Sequence, residues 1–254
     1  MMPARRGAWY LDREVALQKK RVHLEFIRRS ARDARVRVYL KTDLFEEAGG
    51  EDHILFDLHQ SGWTGIGMDM ATGTVIQAAR RHPAPGIHFL ACDIRRPALR
   101  PGRIDLITSL STLDHVESEA DFHAGLAEMA RLLSPGGLLV VTVDNPQNPM
   151  YHALRWASRR GWLPYRLGHT ASMRELNRLL AQLGLEIVAT EWLLHNPRII
   201  STLLCLGLRR LLRRRADRPI RALLMLFAVL GRLPTRRWTA CFVAACARRP
   251  SGGG

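Results

Sequence analysis

Apolar residues recur along this chain in two periods, one near 3.6 and one that is almost continuous over five to seven positions. From Glu14 to Ser30, Val15, Val22, Phe26 and Ile27 fall on one face, which predicts an amphipathic helix. Val36 to Leu40 reads as a short strand. It runs into Lys41-Thr-Asp-Leu-Phe-Glu-Glu-Ala48, which reads as a helix start with acids in its first turn. Ile54 to Leu58 reads as helical. Gly65-Ile-Gly-Met-Asp69 is a strand that ends on a carboxylate, and Thr74 to Arg81 is a helix stopped by Pro83 and Pro85.

The alternation continues. Strands are predicted at Ile87 to Asp93 and Ile104 to Ser109, then a helix at Glu119 to Leu133 with Phe122, Leu126, Met129 and Leu133 on one stripe. Pro135-Gly-Gly137 reads as a tight turn before an apolar strand, Leu138 to Val143. Ser172-Met-Arg-Glu175 is a capping-box signature that opens a helix closing at Gly184. Strands at Leu185 to Ala189 and Thr239 to Ala247 complete the series. Apolar strands alternating with helices predict an α/β fold, a mostly parallel sheet covered on both faces. The expected organisation is an N-terminal helical extension over 1–35, an α/β domain over 36–198 and 238–250, and a helical insert over 199–237. The terminal Ser251-Gly-Gly-Gly254 reads as disordered.

Composition narrows the picture. Hydrophobic residues make up 47% and charged residues 24%, so the chain has material for a core and is not a disordered polymer. The net charge of +15 is lopsided, because residues 198–254 hold 13 arginines and a single acid, Asp217. Cys92, Cys205, Cys241 and Cys246 show no C-x-x-C spacing, and the histidines give no H-x-x-x-H pair. No metal site is expected, and reduced thiols fit a cytoplasmic setting. The first ten residues lack the apolar segment of a secretory signal. Within 199–237, leucine and arginine alternate at helical spacing. Such helices lie in a membrane interface, cover a lipophilic substrate, or pack on a sheet. Scarce aromatic residues argue against nucleic acid.

Ligands of open α/β sheets bind outside the carboxyl ends of the strands, where Asp69, Asp93 and Asp114-His115 are expected. A carboxylate after the second strand suits a ribose diol, and one after the third suits an adenine amino group. Helix N-capping is the competing role for each. The stretches Gly65-Ile-Gly-Met-Asp69-Met70, Ala91-Cys-Asp93-Ile94, Ile104-Asp-Leu-Ile-Thr-Ser109 through Asp114-His115, and Leu132-Leu-Ser-Pro-Gly-Gly resemble those of class I S-adenosylmethionine-dependent methyltransferases. The resemblance covers Val36 to Ala189 and implies a doubly wound, seven-stranded sheet with S-adenosylmethionine as cofactor. It implies that Asp69 holds the ribose with Met70 beside it, that Asp93 and Ile94 flank the adenine, and that Ser109 lies near the methionine end.

The sequence departs from that family after its first strand. The family's strand runs into a G-x-G-x-G loop, whereas here Lys41-Thr-Asp-Leu-Phe-Glu-Glu follows Leu40. In a remodelled loop, Lys41 meets the methionine carboxylate and Asp43 the amino group. In a degenerate one, the chain is an inactive domain that binds a membrane or partner. Methyl transfer needs positioning and, for some acceptors, a base, for which Asp114 and His115 are the candidates. Asp144-Asn-Pro146 reads either as a turn or as part of an acceptor pocket. The expected activity is methyl transfer to a small lipophilic acceptor, with peripheral membrane contact through 199–237.

Overall fold

The computed structural model describes residues 12–59, 62–162 and 167–251. Helix α1 (Arg13–Ser30) leads into β1 (Val38–Thr42) and two short helices, α2 (Phe45–Gly49) and α3 (Leu55–Leu58). β2 (Thr64–Asp69), α4 (Thr72–Arg81), β3 (Ile87–Ala91), β4 (Ile104–Leu110), α5 (Glu119–Leu132) and β5 (Leu133–Asp144) continue the alternation. Then come α6 (Pro149–Arg159), α7 (Met173–Gln182), β6 (Glu186–Leu193), α8 (Arg198–Leu212), α9 (Asp217–Ala228), α10 (Arg236–Thr239) and β7 (Phe242–Arg248). The expected disorder of the last three glycines and the reading of the first ten residues lie outside the described residues.

The seven strands form one sheet in the order β3-β2-β1-β4-β5-β7-β6. β7 runs antiparallel to both its neighbours, β5 and β6, and the other paired strands among the described residues are parallel. This is the expected doubly wound sheet, with α8 to α10 ahead of its last strand. Strand order reverses between β1 and β4, so the crevice at their carboxyl ends is the place for a ligand. Successive side chains alternate between two cores. Tyr39, Leu138 and Val140 join α1 and the short helices on one face, where Phe26, Ile27, Leu44 and Leu55 are buried. Leu40, Leu139 and Val141 join Phe122, Leu126, Leu176 and Leu180 of α5 and α7 on the other. On β2, a Cβ at Gly67 would come within 2.7 Å of Leu44 and 2.9 Å of Leu55, so glycine admits both leucines to the sheet.

Three local readings shift. β1 begins at Val38 because the Arg37 and Val38 amides both donate to the Asp105 carboxylate, at 2.9 and 3.0 Å. It runs on through Lys41, whose charge is neutralised from outside the strand. Pro135-Gly-Gly137 lies inside β5 as a bulge, since Ile104 pairs with Leu133 but Leu106 pairs with Leu138. The Gly136 amide donates to the Arg249 carbonyl and the Arg249 amide to the Gly137 carbonyl, each at 2.9 Å, which stitches the turn to the end of β7. Helix α6 was absent from the sequence reading. Its start is fixed by Asn148, whose side chain accepts from the Met150 amide at 2.9 Å, with proline at the first helical position. The capping box of α7 forms as predicted, with Glu175 accepting from the Ser172 amide at 2.8 Å.

The α8–α9 hairpin packs on α1. Cys205, Ala216, Ile220 and Leu224 form a small apolar cluster with Val15. Gln18 donates to the Leu224 carbonyl at 3.2 Å, and Arg209 reaches Asp12 at 2.7 Å. Among the described residues no helix is long and apolar enough to cross a membrane.

Candidate active site

The segment after β1, which lacks the glycine loop of the family it resembles, is closed by side chains. Lys41 is 3% exposed and pairs with fully buried Glu47 at 2.9 Å. The other oxygen of Glu47 accepts from the Ile54 and Leu55 amides, each at 3.0 Å. Burial alone would lower the Lys41 pKa, but Glu47, Glu46 and Asp43 together hold it above its ordinary value. A buried charge kept in this way has a partner and satisfied hydrogen bonds, as such charges require. The Lys41 ammonium also donates to the Asp43 carbonyl.

Asp43 sits at φ 65, in the left-handed region. Its carboxylate accepts from the Phe45 amide at 2.7 Å, an Asx turn that makes this conformation tolerable. Burial, then the nearby Glu46, push its pKa up to about 7. Glu46 goes the other way. Burial would raise it, but Lys19 and Lys41 outweigh that and pull it down to about 2. Lys19 comes from α1 and bridges Glu46 at 2.7 Å and Asp52 at 2.9 Å. The N-terminal helix is thus tied to the carboxyl end of β1. His23, one turn further along, is buried and held neutral, its pKa lowered to about 4 mainly by burial.

Asp69 ends β2, as its sequence predicted, and is half-buried. One oxygen accepts from the Leu44 amide and the other from the Ala71 amide, both at 2.8 Å. Met70 beside it is 71% exposed. Asp93 is gripped by Arg95, whose Nε lies 3.0 Å from both carboxylate oxygens and whose Nη2 lies 2.6 Å from one. Arg95 also reaches Asp121 at 2.6 Å, and its hydrogen bonds hold Asp93 below the usual carboxylate range. Ile94 packs partly buried against the α5 side of the core.

A buried polar cluster lies at the carboxyl ends of β4 and β5. Ser109 is fully buried, and its hydroxyl has no hydrogen-bond partner among the described residues. Asp114 is 2% exposed. One of its oxygens accepts from the Asp144 amide at 3.0 Å, while the other has no partner. Burial, then Asp144, push its pKa up to about 6. His115 on the same turn is exposed, so the two candidates separate into an inner and an outer group. The Asp144 carboxylate is buried and pairs with Arg198, the first residue of α8, whose guanidinium stacks 4.7 Å from the Phe242 ring centroid. The buried Tyr151 hydroxyl of α6 is also without a partner, and its pKa is raised mainly by burial.

The strap at Leu167-Gly168-His169 crosses this turn, with the Gly168 amide donating to the Asp114 carbonyl at 2.7 Å. A Cβ at Gly168 would lie 1.8 Å from the Val116 carbonyl oxygen, so only glycine passes. Asn145 is the turn of the two sequence alternatives. Its amide donates to the Arg237 and Ala240 carbonyls at 2.7 and 3.0 Å and locks the loop to the approach of β7.

Of the residues expected at the strand ends, Asp69 ends β2, and Ser109 and Asp114 lie at and just after the end of β4, on the other side of β1. Sequence reasoning missed Lys19, Tyr151, Asp144 as an ion-pair partner, and Arg198. An acid ending the apolar β5 was a visible signal for Asp144. Nothing local marks Arg198 or Lys19, whose partners lie 54 and 27 residues away. Among the described residues no group of three or more His, Cys, Asp or Glu is placed to hold a metal.

Residues 47–141 match the protein family described as a methyltransferase domain. The match starts at Glu47, the last residue of the unusual segment, and leaves out the rest of it. The chain is 29% identical over 129 residues to the phthiotriol/phenolphthiotriol dimycocerosates methyltransferase 1 of Mycobacterium ulcerans, covering 51% of this chain and 44% of that one. It is 36% identical over 85 residues to the demethylmenaquinone methyltransferase of Beutenbergia cavernae, covering 34% and 33%. The chain thus spans less than half the length of these relatives. The fold is similar to a putative sarcosine dimethylglycine methyltransferase from Galdieria sulphuraria, with a TM-score of 0.61 at 14% identity over 92% of this chain and 86% of that one. The chain therefore carries a stretch similar to a methyltransferase domain over 47–141, on a seven-stranded sheet whose fold is similar to that of solved methyltransferases.

Proposed function

We propose that this protein transfers a methyl group from S-adenosylmethionine to a small lipophilic acceptor. The observation that carries the reading is the buried Asp114 carboxyl, pushed up to about 6, with an unpartnered oxygen at the carboxyl end of β4. The cofactor supplies a methyl already activated on a sulfonium. The chain therefore has to align a nucleophile and, for a weakly acidic acceptor, take its proton.

Asp69 holds the ribose. Each of its oxygens accepts a single backbone amide, which leaves lone pairs for a diol. Met70 flanks that position. Ile94 covers the adenine, and Asp93 meets its amino group by sharing a carboxylate with Arg95. Ser109 faces the methionine end. Asp43 takes the methionine amino group, ionising as that cation approaches. Lys41 contributes its field to the methionine carboxylate from behind, since its contact is with Glu47. Asp114 is the base, and exposed His115 passes the proton to solvent. The relatives act, by name, on phthiotriol dimycocerosates and demethylmenaquinone, which supports a lipophilic acceptor. The proposal includes peripheral contact through 199–237 with the membrane where such an acceptor dissolves.

Labelled methyl transfer tests the reading. With a solvent-extracted lipid mixture as acceptor, label should enter the organic phase, and Asp114→Asn should abolish that transfer. Label that stays in water, with protein shown to bind S-adenosylhomocysteine, contradicts the acceptor class.

A second reading has its own observation. Lys41–Glu47 and Leu44–Asp69 close the segment where the family carries its glycine loop. On that reading the domain binds no cofactor and acts as a membrane or partner module.

A further inference from the structure

Helix α8 buries Ser201 and Cys205 against α1 and α9, and α9 buries Ile220 and Leu224. The opposite faces are not covered. Leu203, Leu206 and Leu211 are 64, 61 and 78% exposed, and Met225 and Leu226 are 60 and 66% exposed. Large aliphatic side chains left in water over two adjacent helices form a patch, which differs from the scattered exposed residues of any surface.

The charges around this patch are arranged for one kind of partner. Residues 199–237 hold ten arginines and one aspartate, a net +9. Arg209 is occupied by Asp12 and Asp217, and Arg221 by Glu14. Arg210, Arg213, Arg214, Arg215 and Arg218 are grouped at the α8–α9 turn with no acidic partner among the described residues. Arg232 lies at the other end of α9. Leucines lie along the helix bodies and arginines at their ends. That pattern suits an anionic bilayer surface, where guanidinium groups meet headgroup phosphates and the aliphatic face enters the acyl boundary. A polyanion such as RNA uses the arginines but gains nothing from the leucines, and few aromatic rings stand among them for base stacking.

We propose that the outer face of the α8–α9 hairpin docks on anionic phospholipid bilayers and sets the acceptor crevice at the membrane surface. Helix α8 starts at Arg198, whose guanidinium pairs with Asp144 beside Asp114. The helix that carries the outer leucines is therefore anchored at its start to the candidate site, which would hold the acceptor crevice close to a docked bilayer. The benefit to catalysis rests on the methyl-transfer reading; the docking itself does not.

The test is co-sedimentation of the full chain, without cofactor or acceptor, with phosphatidylcholine vesicles lacking or containing phosphatidylglycerol. Binding is expected only with phosphatidylglycerol and should partly survive high salt, because burial of the leucines is not screened. The triple variant Leu203→Glu, Leu206→Glu, Met225→Glu alters exposed positions only. It should keep its circular dichroism and melting temperature and lose roughly tenfold or more in partitioning, the equivalent of one lost large apolar burial. Trp238, 45% exposed on α10 at the end of the basic segment, gives a readout that needs no destabilising change. Brominated lipid should quench wild-type fluorescence more than that of Trp238→Phe. No sedimentation of folded wild-type protein overturns the proposal. So does binding that salt removes entirely and the triple variant retains, or preferential binding of RNA over the vesicles. A protein that docks but does not bind S-adenosylhomocysteine keeps this inference and loses the enzymatic one.

Discussion

Asp69, Asp43 and Asp114 are the same side chain in three environments, and burial with neighbouring charge gives each a different task. Asp69 accepts one backbone amide per oxygen and keeps room for a ribose. Asp69→Ala removes two charge-assisted hydrogen bonds of about 1.5–3 kcal/mol each, so S-adenosylhomocysteine affinity should fall by tenfold or much more. Titration calorimetry on folded variant protein checks this. Asp43 is protonated below about pH 7. Only its ionised form attracts the methionine ammonium, so cofactor affinity should rise from pH 6 to pH 8, and Asp43→Asn should flatten that rise. Asp114 is protonated below about pH 6 and works as a base only above it. The methyl-transfer rate should therefore climb through pH 6 to a plateau. Asp114→Asn should abolish transfer at every pH and leave S-adenosylhomocysteine binding intact. A wild-type profile that is flat through pH 6, in an enzyme that turns over, would remove Asp114 from the base role.

Element by element, the strands and long helices were legible because their apolar periods are strong. The segment after β1 was not, because a buried lysine looks like a loop residue until its partner is known. Lys41 belongs to β1 only because Glu47, six residues on, neutralises it while also holding the Ile54 and Leu55 amides. Lys41→Met would leave a buried carboxylate without its cation, at a cost of about 3–5 kcal/mol in unfolding free energy. Adding Glu47→Gln should recover most of that loss, since the amide oxygen still accepts from Ile54 and Leu55. Denaturant melts of the two singles and the double variant measure the coupling. A double variant as unstable as Lys41→Met would mean that the pair is not the source. The Pro135-Gly-Gly bulge and α6 escaped for a related reason: their anchors, Arg249 for the bulge and Ala240 for the Asn148 that starts α6, lie outside any local window.

At the scale of the molecule, the topology could be read because four short motifs occur in a fixed order along a chain whose connections are right-handed and short. The crevice follows from that order alone. What fills it did not follow, because the ion pairs Lys19–Glu46 and Arg198–Asp144 bring the N-terminal helix and the basic hairpin to the strand ends from far along the chain. These two additions also define the choice between enzyme and binding module. They occupy the rim of a site that either takes a nucleoside cofactor despite its missing glycines or has been closed for good. Isothermal titration of the full chain with S-adenosylhomocysteine decides this most directly. Saturable binding at a single site, weakened by Asp69→Ala, is the predicted result. Absence of any heat of binding, from protein shown to be folded by circular dichroism, would contradict the enzymatic reading and leave the closed module.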